Sequence, residues 1–376
     1  MNKRALQSAL LPCLAATCIV ACSSVDPEED AFTDGPWTEI PARSDAIRIS
    51  GHTDWDSDGH AVTGWSGTAF TVGFNGSGLK INITSGPAIY DIFIDGSESP
   101  NSTLDLSEGC DNCKRTVAQK LKPGNHYVRV QKNTEYFIGQ AVLLGFDVQG
   151  DPAPEALPPL PERRLEFIGN SITCGYGILS SKPELENTSA FPITTEDHYY
   201  TYAGQATRIL GAEERTYCMS GRGFLRNFDN TTDGVIPTVY NSLSGENTES
   251  DSAARWEPDI VFINLGTNDF NQGVPDSTAF SDAVFDFIAK LRAKYPTSAI
   301  TLLNGPMMSG ESMQTCRRFL DATAERFRRD VDENIFRFDF DPHGSLGYGI
   351  GYHPNKAQGL KDAQSLATWV KQTFRW

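Results

Sequence analysis

Phe167-Ile168-Gly169-Asn170-Ser171-Ile172-Thr173-Cys174-Gly175-Tyr176-Gly177 is the stretch that decides the fold. Leu165 to Ile168 is a short apolar run that reads as a strand and ends at a glycine. Ser171 follows on the turn out of that strand. A serine so placed stands clear of the sheet at the carboxyl end of a strand, where open α/β sheets keep their ligands. The pattern is not a G-x-S-x-G nucleophile elbow, because Thr173 occupies the position of the second glycine. A small serine that merely favours a turn is the plain alternative. Three motifs further along the chain argue against it.

The chain has 376 residues, of which 39% are hydrophobic, enough for two globular cores. Its formal charge is −16, and it becomes −18 once a leader holding Lys3 and Arg4 is removed. Nucleic-acid partners need a basic face, so this balance argues against one and suits a neutral polysaccharide.

Residues 1–21 read as a secretion signal, with Lys3 and Arg4 before the apolar run Ala5 to Val20. Ile19-Val20-Ala21-Cys22 resembles a bacterial lipobox, which makes Cys22 the expected lipidated residue and membrane anchor. A plain signal peptide is the alternative. Residues 22–36 are acidic and polar, an expected flexible tether. Cys110 and Cys113 are spaced to close a small disulfide in an oxidising compartment. No further ligands accompany them, so no metal site is expected. Cys174 reads as a buried structural thiol, and Cys218 and Cys316 carry no assignment.

Residues 37–150 are read as all β. Short strands at 67–74, 81–84, 89–96, 126–130 and 141–146 are separated by Gly, Asn and Ser, and predict a sandwich, a jelly roll by spacing. Trp55 and Trp65 could form a sugar platform, but core packing is the preferred reading. Residues 151–163 are a proline-rich linker. Residues 164–376 then alternate strands at 165–168, 215–219, 259–265, 299–303 and 335–338 with helices at 198–210, 276–294, 311–329 and 357–374. That alternation implies a parallel sheet covered on both faces.

Three loops of this second domain carry chemistry. Ser220-Gly221-Arg222-Gly223 follows one strand, and a glycine there lets backbone approach a substrate closely. Gly266-Thr267-Asn268-Asp269 follows the most apolar strand, with Asn268 as a side-chain donor and Asp269 as a residue that holds the loop. Tyr348-Gly349-Ile350-Gly351-Tyr352-His353-Pro354 precedes the last helix, and His353 is the candidate base. His343, beside Asp341, is its rival.

Together these four blocks resemble the SGNH (GDSL-like) hydrolases. Thr173 to Gly177, Gly347 to Gly349 and the β region narrow the likeness to carbohydrate esterase family 2. The resemblance implies an N-terminal β-sandwich followed by a three-layer α/β/α hydrolase domain. It implies Ser171 as nucleophile, His353 as base, and an oxyanion hole from the Ser171 N–H, Gly221 and Asn268. It further implies removal of O-acetyl groups from plant polysaccharide such as xylan or glucomannan, by a monomer without metal or cofactor. Tyr176, Phe270, Tyr348 and Tyr352 are candidate sugar-facing aromatics, with core roles as the alternative. A lipase-like substrate range and a glycan-binding protein with a decayed catalytic domain are the other readings. One departure stands out: Ile350 and Gly351 occupy the positions before His353 where the family's aspartate is expected. A backbone carbonyl is therefore expected to orient the imidazole, with Asp341 as the other possibility.

Overall fold

In the computed structural model the described residues are 35–182, 192–243 and 256–376. The leader, Cys22 and nearly all of the acidic tether lie outside them. The first ten strands are β1 (Trp37–Pro41), β2 (Ile47–Ser50), β3 (Asp54–Trp55), β4 (Ala61–Thr63), β5 (Ala69–Ser85), β6 (Ala88–Ile94), β7 (Ser102–Leu106), β8 (Cys110–Ala118), β9 (Gly124–Lys132) and β10 (Ala141–Pro152). All their pairings are antiparallel. The strands expected at 67–74 and 81–84 are one element, β5. Its first half pairs with β9 and its second with β8. The glycines between read as a turn, but they serve a close approach: a Cβ on Gly76 would run into the Gln149 carbonyl of β10. Phe74, Leu79, Ile81, Val128, Val130 and Phe146 close a single core. The proline-rich segment is strapped to this domain, since the Ala153 N–H donates to Gly73 O and Arg48 reaches Pro158 O.

The second part runs β11 (Arg163–Gly169), α1 (Ser171–Cys174), α2 (Tyr202–Leu210), β12 (Ala212–Cys218), α3 (Ile236–Leu243), β13 (Ile260–Asn264), α4 (Ser277–Lys294), β14 (Ala299–Asn304), α5 (Gly310–Asp330), β15 (Ile335–Asp339) and α6 (Lys356–Phe374). Its five strands form a parallel sheet in the order β12-β11-β13-β14-β15. Alternate residues of each strand serve opposite faces. Leu165, Phe167, Ile260 and Phe262 meet Tyr202 of α2 and Leu366 of α6. Ile168, Val261 and Ile263 meet Phe280 of α4 and Leu320 of α5. This is the three-layer α/β/α arrangement. The helix expected from His198 begins later, at Tyr202 with Thr201 as its cap, while Asp197 caps a separate 3-10 turn over His198–Tyr200. The short helix α3 went unread, because eight residues give too little periodicity to separate from a loop.

From Asp34 onward the chain is one compact unit. Trp65 belongs to the hydrolase-side core rather than to a sugar platform, edge-on to Tyr217 at 5.1 Å. Cys110 and Cys113 form the expected disulfide. Cys174 departs from its reading as a free thiol: it is bonded to Cys218, and Cys316 is buried and unpaired. Sequence alone could not pair Cys174 with Cys218, because their proximity comes from the neighbouring strands β11 and β12. The bridge ties α1 to the end of β12 across a sequence separation of 44. A closed loop of that size restricts the unfolded chain by about 4 kcal/mol in the loop-entropy account. Cys174→Ala with Cys218→Ala should therefore lower the urea midpoint well below that of the oxidised parent, and an unchanged midpoint would refute this.

Candidate active site

The register of the parallel sheet places the site. Gly169, at the end of β11, is level with Cys218 on one side and Asn264 on the other. The loops that follow those three residues carry Ser171, Gly221 and Asn268, so they leave the sheet side by side. Asn170 accepts the Ile172 N–H and starts α1 at Ser171. Gly175, at φ +98°, ends it after one turn. A Cβ there would sit 2.5 Å from the Asp197 carbonyl, so only glycine fits. Ser171 is thus the first residue of a helix one turn long.

His353 reaches that serine from 182 residues away, with Nε2 at 2.7 Å from Ser171 Oγ. Its other nitrogen, Nδ1, lies 3.0 Å from the Ile350 carbonyl, an acceptor that calls for the proton on Nδ1 and leaves Nε2 to accept from Ser171. The backbone makes this possible by turning sharply: Gly351 and Tyr352 both adopt left-handed φ, at +58° and +57°. A tyrosine there is unusual and marks a constrained loop. Tyr176 backs the imidazole at 4.7 Å between ring centroids. Burial pulls the His353 pKa down to about 4, against smaller upward effects of the Ile350 and Gly351 backbone.

Opposite the serine, the turn 219–222 is held almost completely. The Met219 N–H donates to Gly169 O, the Ser220 N–H to Glu135 Oε2 at 2.6 Å, and the Arg222 N–H to Met219 O. Among the described residues the Gly221 N–H alone in that run has no acceptor. Gly221 itself stands at φ +75°. Asn268 Nδ2 donates to Arg222 O at 2.8 Å, which fixes its amide beside the same turn. Asp269 collects the N–H groups of Phe224, Leu225 and Arg226 and holds the loop, as its position suggested.

Other candidates lie elsewhere. His343 is tied to backbone at both nitrogens, by Pro306 O and Tyr352 O, each at 2.7 Å. The Asp341 side chain is 80% exposed and faces Lys361, so it does not orient His353. Phe270 is a correction: it is buried in the hydrolase core against Phe280 and Phe319, and cannot face a sugar. Its place directly after the polar loop suggested otherwise, but the chain has already turned inward there. Tyr352 is exposed, and Tyr348 packs edge-on against both Tyr352 and His343. Glu135 was missed, since nothing in a β-domain loop signals that it reaches the other domain's turn.

Comparison with known proteins agrees with this architecture. Residues 49–158 match the Carbohydrate esterase 2 N-terminal domain, and residues 167–358 match the GDSL-like Lipase/Acylhydrolase family. Fold and domain matches define a carboxylic ester hydrolase. The chain belongs to the GDSL-like hydrolases, as a family 2 carbohydrate esterase. It is 29% identical over 337 residues to the Cellulase/esterase CelE of Acetivibrio thermocellus, covering 88% of this chain and 40% of that longer relative. It is 25% identical to an Acetylxylan esterase / glucomannan deacetylase of Cellvibrio japonicus, covering 90% of this chain and 91% of the relative. A family two carbohydrate esterase from Clostridium thermocellum, solved in complex with cellohexaose, superposes with a TM-score of 0.79. That structure is 28% identical, and the match covers 88% of this chain and 99% of the other.

Three outcomes follow from the geometry. The His353 pKa is depressed, so its neutral form persists as pH falls below the ordinary 6.5, toward about 4. The acid limb of kcat/KM on an aryl acetate should therefore lie well below 6.5, and a limb centred at 6.5 or higher contradicts the geometry. By linkage the same group makes the fold lose stability as pH falls from 6.5 toward about 4, because the unfolded imidazole protonates first. Separately, Asp341→Asn should change kcat by less than about tenfold, within the worth of one ordinary hydrogen bond. A collapse of activity with the fold preserved would restore Asp341 as the missing acid.

Proposed function

We propose that this chain is a serine esterase that removes O-acetyl groups from plant cell-wall polysaccharide, such as xylan or glucomannan, or from its oligosaccharides. The observation that carries the reading is the 2.7 Å contact between Ser171 Oγ and an imidazole kept neutral by burial. Ser171 Oγ attacks the acetyl carbonyl carbon while His353 Nε2 takes its proton. The oxyanion is met by the Ser171 N–H, the Gly221 N–H and the Asn268 amide, each such donor contributing roughly 3 kcal/mol to the transition state. His353 then gives its proton to the departing sugar oxygen, and the C–O ester bond breaks to leave an acetyl-enzyme. Water, deprotonated by the same nitrogen, attacks the acetyl carbon; acetate leaves and Ser171 recovers its proton. The Ile350 carbonyl does the orienting that a carboxylate does in a triad. Tyr176, Tyr348 and Tyr352 would supply ring faces to a neutral sugar, in keeping with a chain charged −16. An intact serine–histidine contact speaks against a decayed domain. The names of the relatives, an esterase and two deacetylases, support the acetyl ester.

The same proposal places the protein outside the cytoplasm. A leader followed by Cys22 supports export with a lipid anchor on that cysteine, and two disulfides suit an oxidising compartment.

Ser171→Ala should cut kcat on aryl acetate and on acetylated xylan by about 10⁴-fold or more with the fold unchanged. Retained turnover would remove the mechanism, and preference for long acyl chains would replace the substrate class. Expressed in a bacterial host with its leader, the protein should incorporate labelled lipid, and Cys22→Ser should not. Equal solubility of both forms, with no lipid label on either, would show an ordinary signal peptide.

A further inference from the structure

Glu135 lies between β9 and β10 in the β domain, yet its carboxylate is buried against the hydrolase turn 218–221. The loop that carries it is wound around the Lys132 amine. Lys132, wholly buried, donates from Nζ to Thr134 O, Thr134 Oγ1 and Glu135 O. Glu196, also fully buried, and Cys174 Sγ complete the pocket, their polar atoms and the Glu135 carboxylate lying within 4.8 Å of one another. That trio resembles a metal site only on paper. The Cys174 sulfur is spent in the bond to Cys218, so two carboxyl groups remain. Two carboxylates this close in a buried site repel each other, which favours a proton on one of them, and the nearby Lys132 amine opposes this. Burial raises both groups, Glu135 up to about 7 and Glu196 well above its ordinary value. Glu135 Oε2 accepts the Ser220 N–H while neither Glu196 oxygen has a hydrogen-bond partner, so a proton held on Glu196 would give Glu135 Oε1 the donor it otherwise lacks. Glu135 Oε2 is left as a carboxylate oxygen aimed at the Ser220 N–H.

We propose that Glu135 is a positioning residue for ester hydrolysis, contributed by the β domain: by holding the Ser220 N–H it aims the next amide, Gly221 N–H, at the developing oxyanion. The turn is held by backbone on both sides of this pair, and the Ser220 N–H is held by Glu135. Gly221, lacking a Cβ, has the backbone freedom to turn if the Ser220 contact is lost. On the far side of the Ser220–Gly221 peptide the Phe228 N–H donates to Gly221 O and the Arg222 N–H to Met219 O; on the near side the Glu135 contact holds the Ser220 N–H. Without it Ser220 can rotate, and Gly221 N–H swings off line while the ground-state substrate contacts stay as they were.

The inference rests on Ser171 being the nucleophile, and the experiment separates the two. Glu135→Ala, Glu135→Gln and Ser171→Ala are compared for kcat and KM on an aryl acetate, with thermal midpoints taken alongside. A misaligned donor of this kind costs about 10²-fold, so the alanine variant should lose that much kcat with KM nearly unchanged. The glutamine variant keeps an acceptor oxygen and should retain most of the parent rate. Should the alanine variant not fold, Glu135→Asp, which keeps the charge but falls short of Ser220, takes its place with the same expected loss. A folded alanine or aspartate variant with parental kcat overturns the role of Glu135, as does a folded glutamine variant as slow as alanine. Activity surviving in Ser171→Ala instead removes the esterase mechanism itself.

Discussion

The structure depends first on the register of three parallel strands. Because Gly169 is level with both Cys218 and Asn264, the chain leaves β11, β12 and β13 at one height and on one edge of the sheet. Each exit then supplies a different group: a hydroxyl on a one-turn helix, a backbone amide, and a carboxamide. None of the three loops could assemble the site alone. A slip of one residue in a strand would swap its side chains between two buried faces, so what holds the register is fit: Phe167 and Phe262 against Tyr202 and Leu366 on one face, Ile168 and Ile263 against Phe280 and Leu320 on the other.

The histidine solves a different problem. It arrives from the far end of the chain, on a loop that must place an imidazole without a carboxylate to hold it. Two consecutive left-handed residues, Gly351 and Tyr352, fold the Ile350 carbonyl back under Nδ1. A carbonyl orients the ring but brings no negative charge, and removal from water disfavours the charged ring. The imidazole is accordingly harder to protonate than one paired with an aspartate, which leaves it free to accept the serine proton.

The β domain is more than an attachment. Trp65 is packed into the hydrolase core, and Glu135 touches the turn opposite Ser171. The proline-rich segment is held down by Gly73 and Arg48 rather than swinging freely. These contacts give a physical reason for the two domains to form one compact body instead of two modules on a hinge.

By itself the sequence determined the class of fold and marked the candidate residues that the fold brings together. Strand–helix alternation with period-2 apolar runs specifies a covered parallel sheet, and a serine, a glycine, an asparagine and a histidine at the ends of such runs are visible as local patterns. The gap at Ile350 and Gly351 was equally legible, because a missing side chain can be read directly. What needed the tertiary structure was every partnership between distant segments. The Cys174–Cys218 bond, the inward turn of Phe270, the two-domain packing of Trp65 and the reach of Glu135 to Ser220 all depend on which elements become neighbours. Local pattern records how a segment buries its own apolar face. It carries no term for what lies on the other side of that face, and that is decided only when the sheet, the sandwich and the loops between them close together.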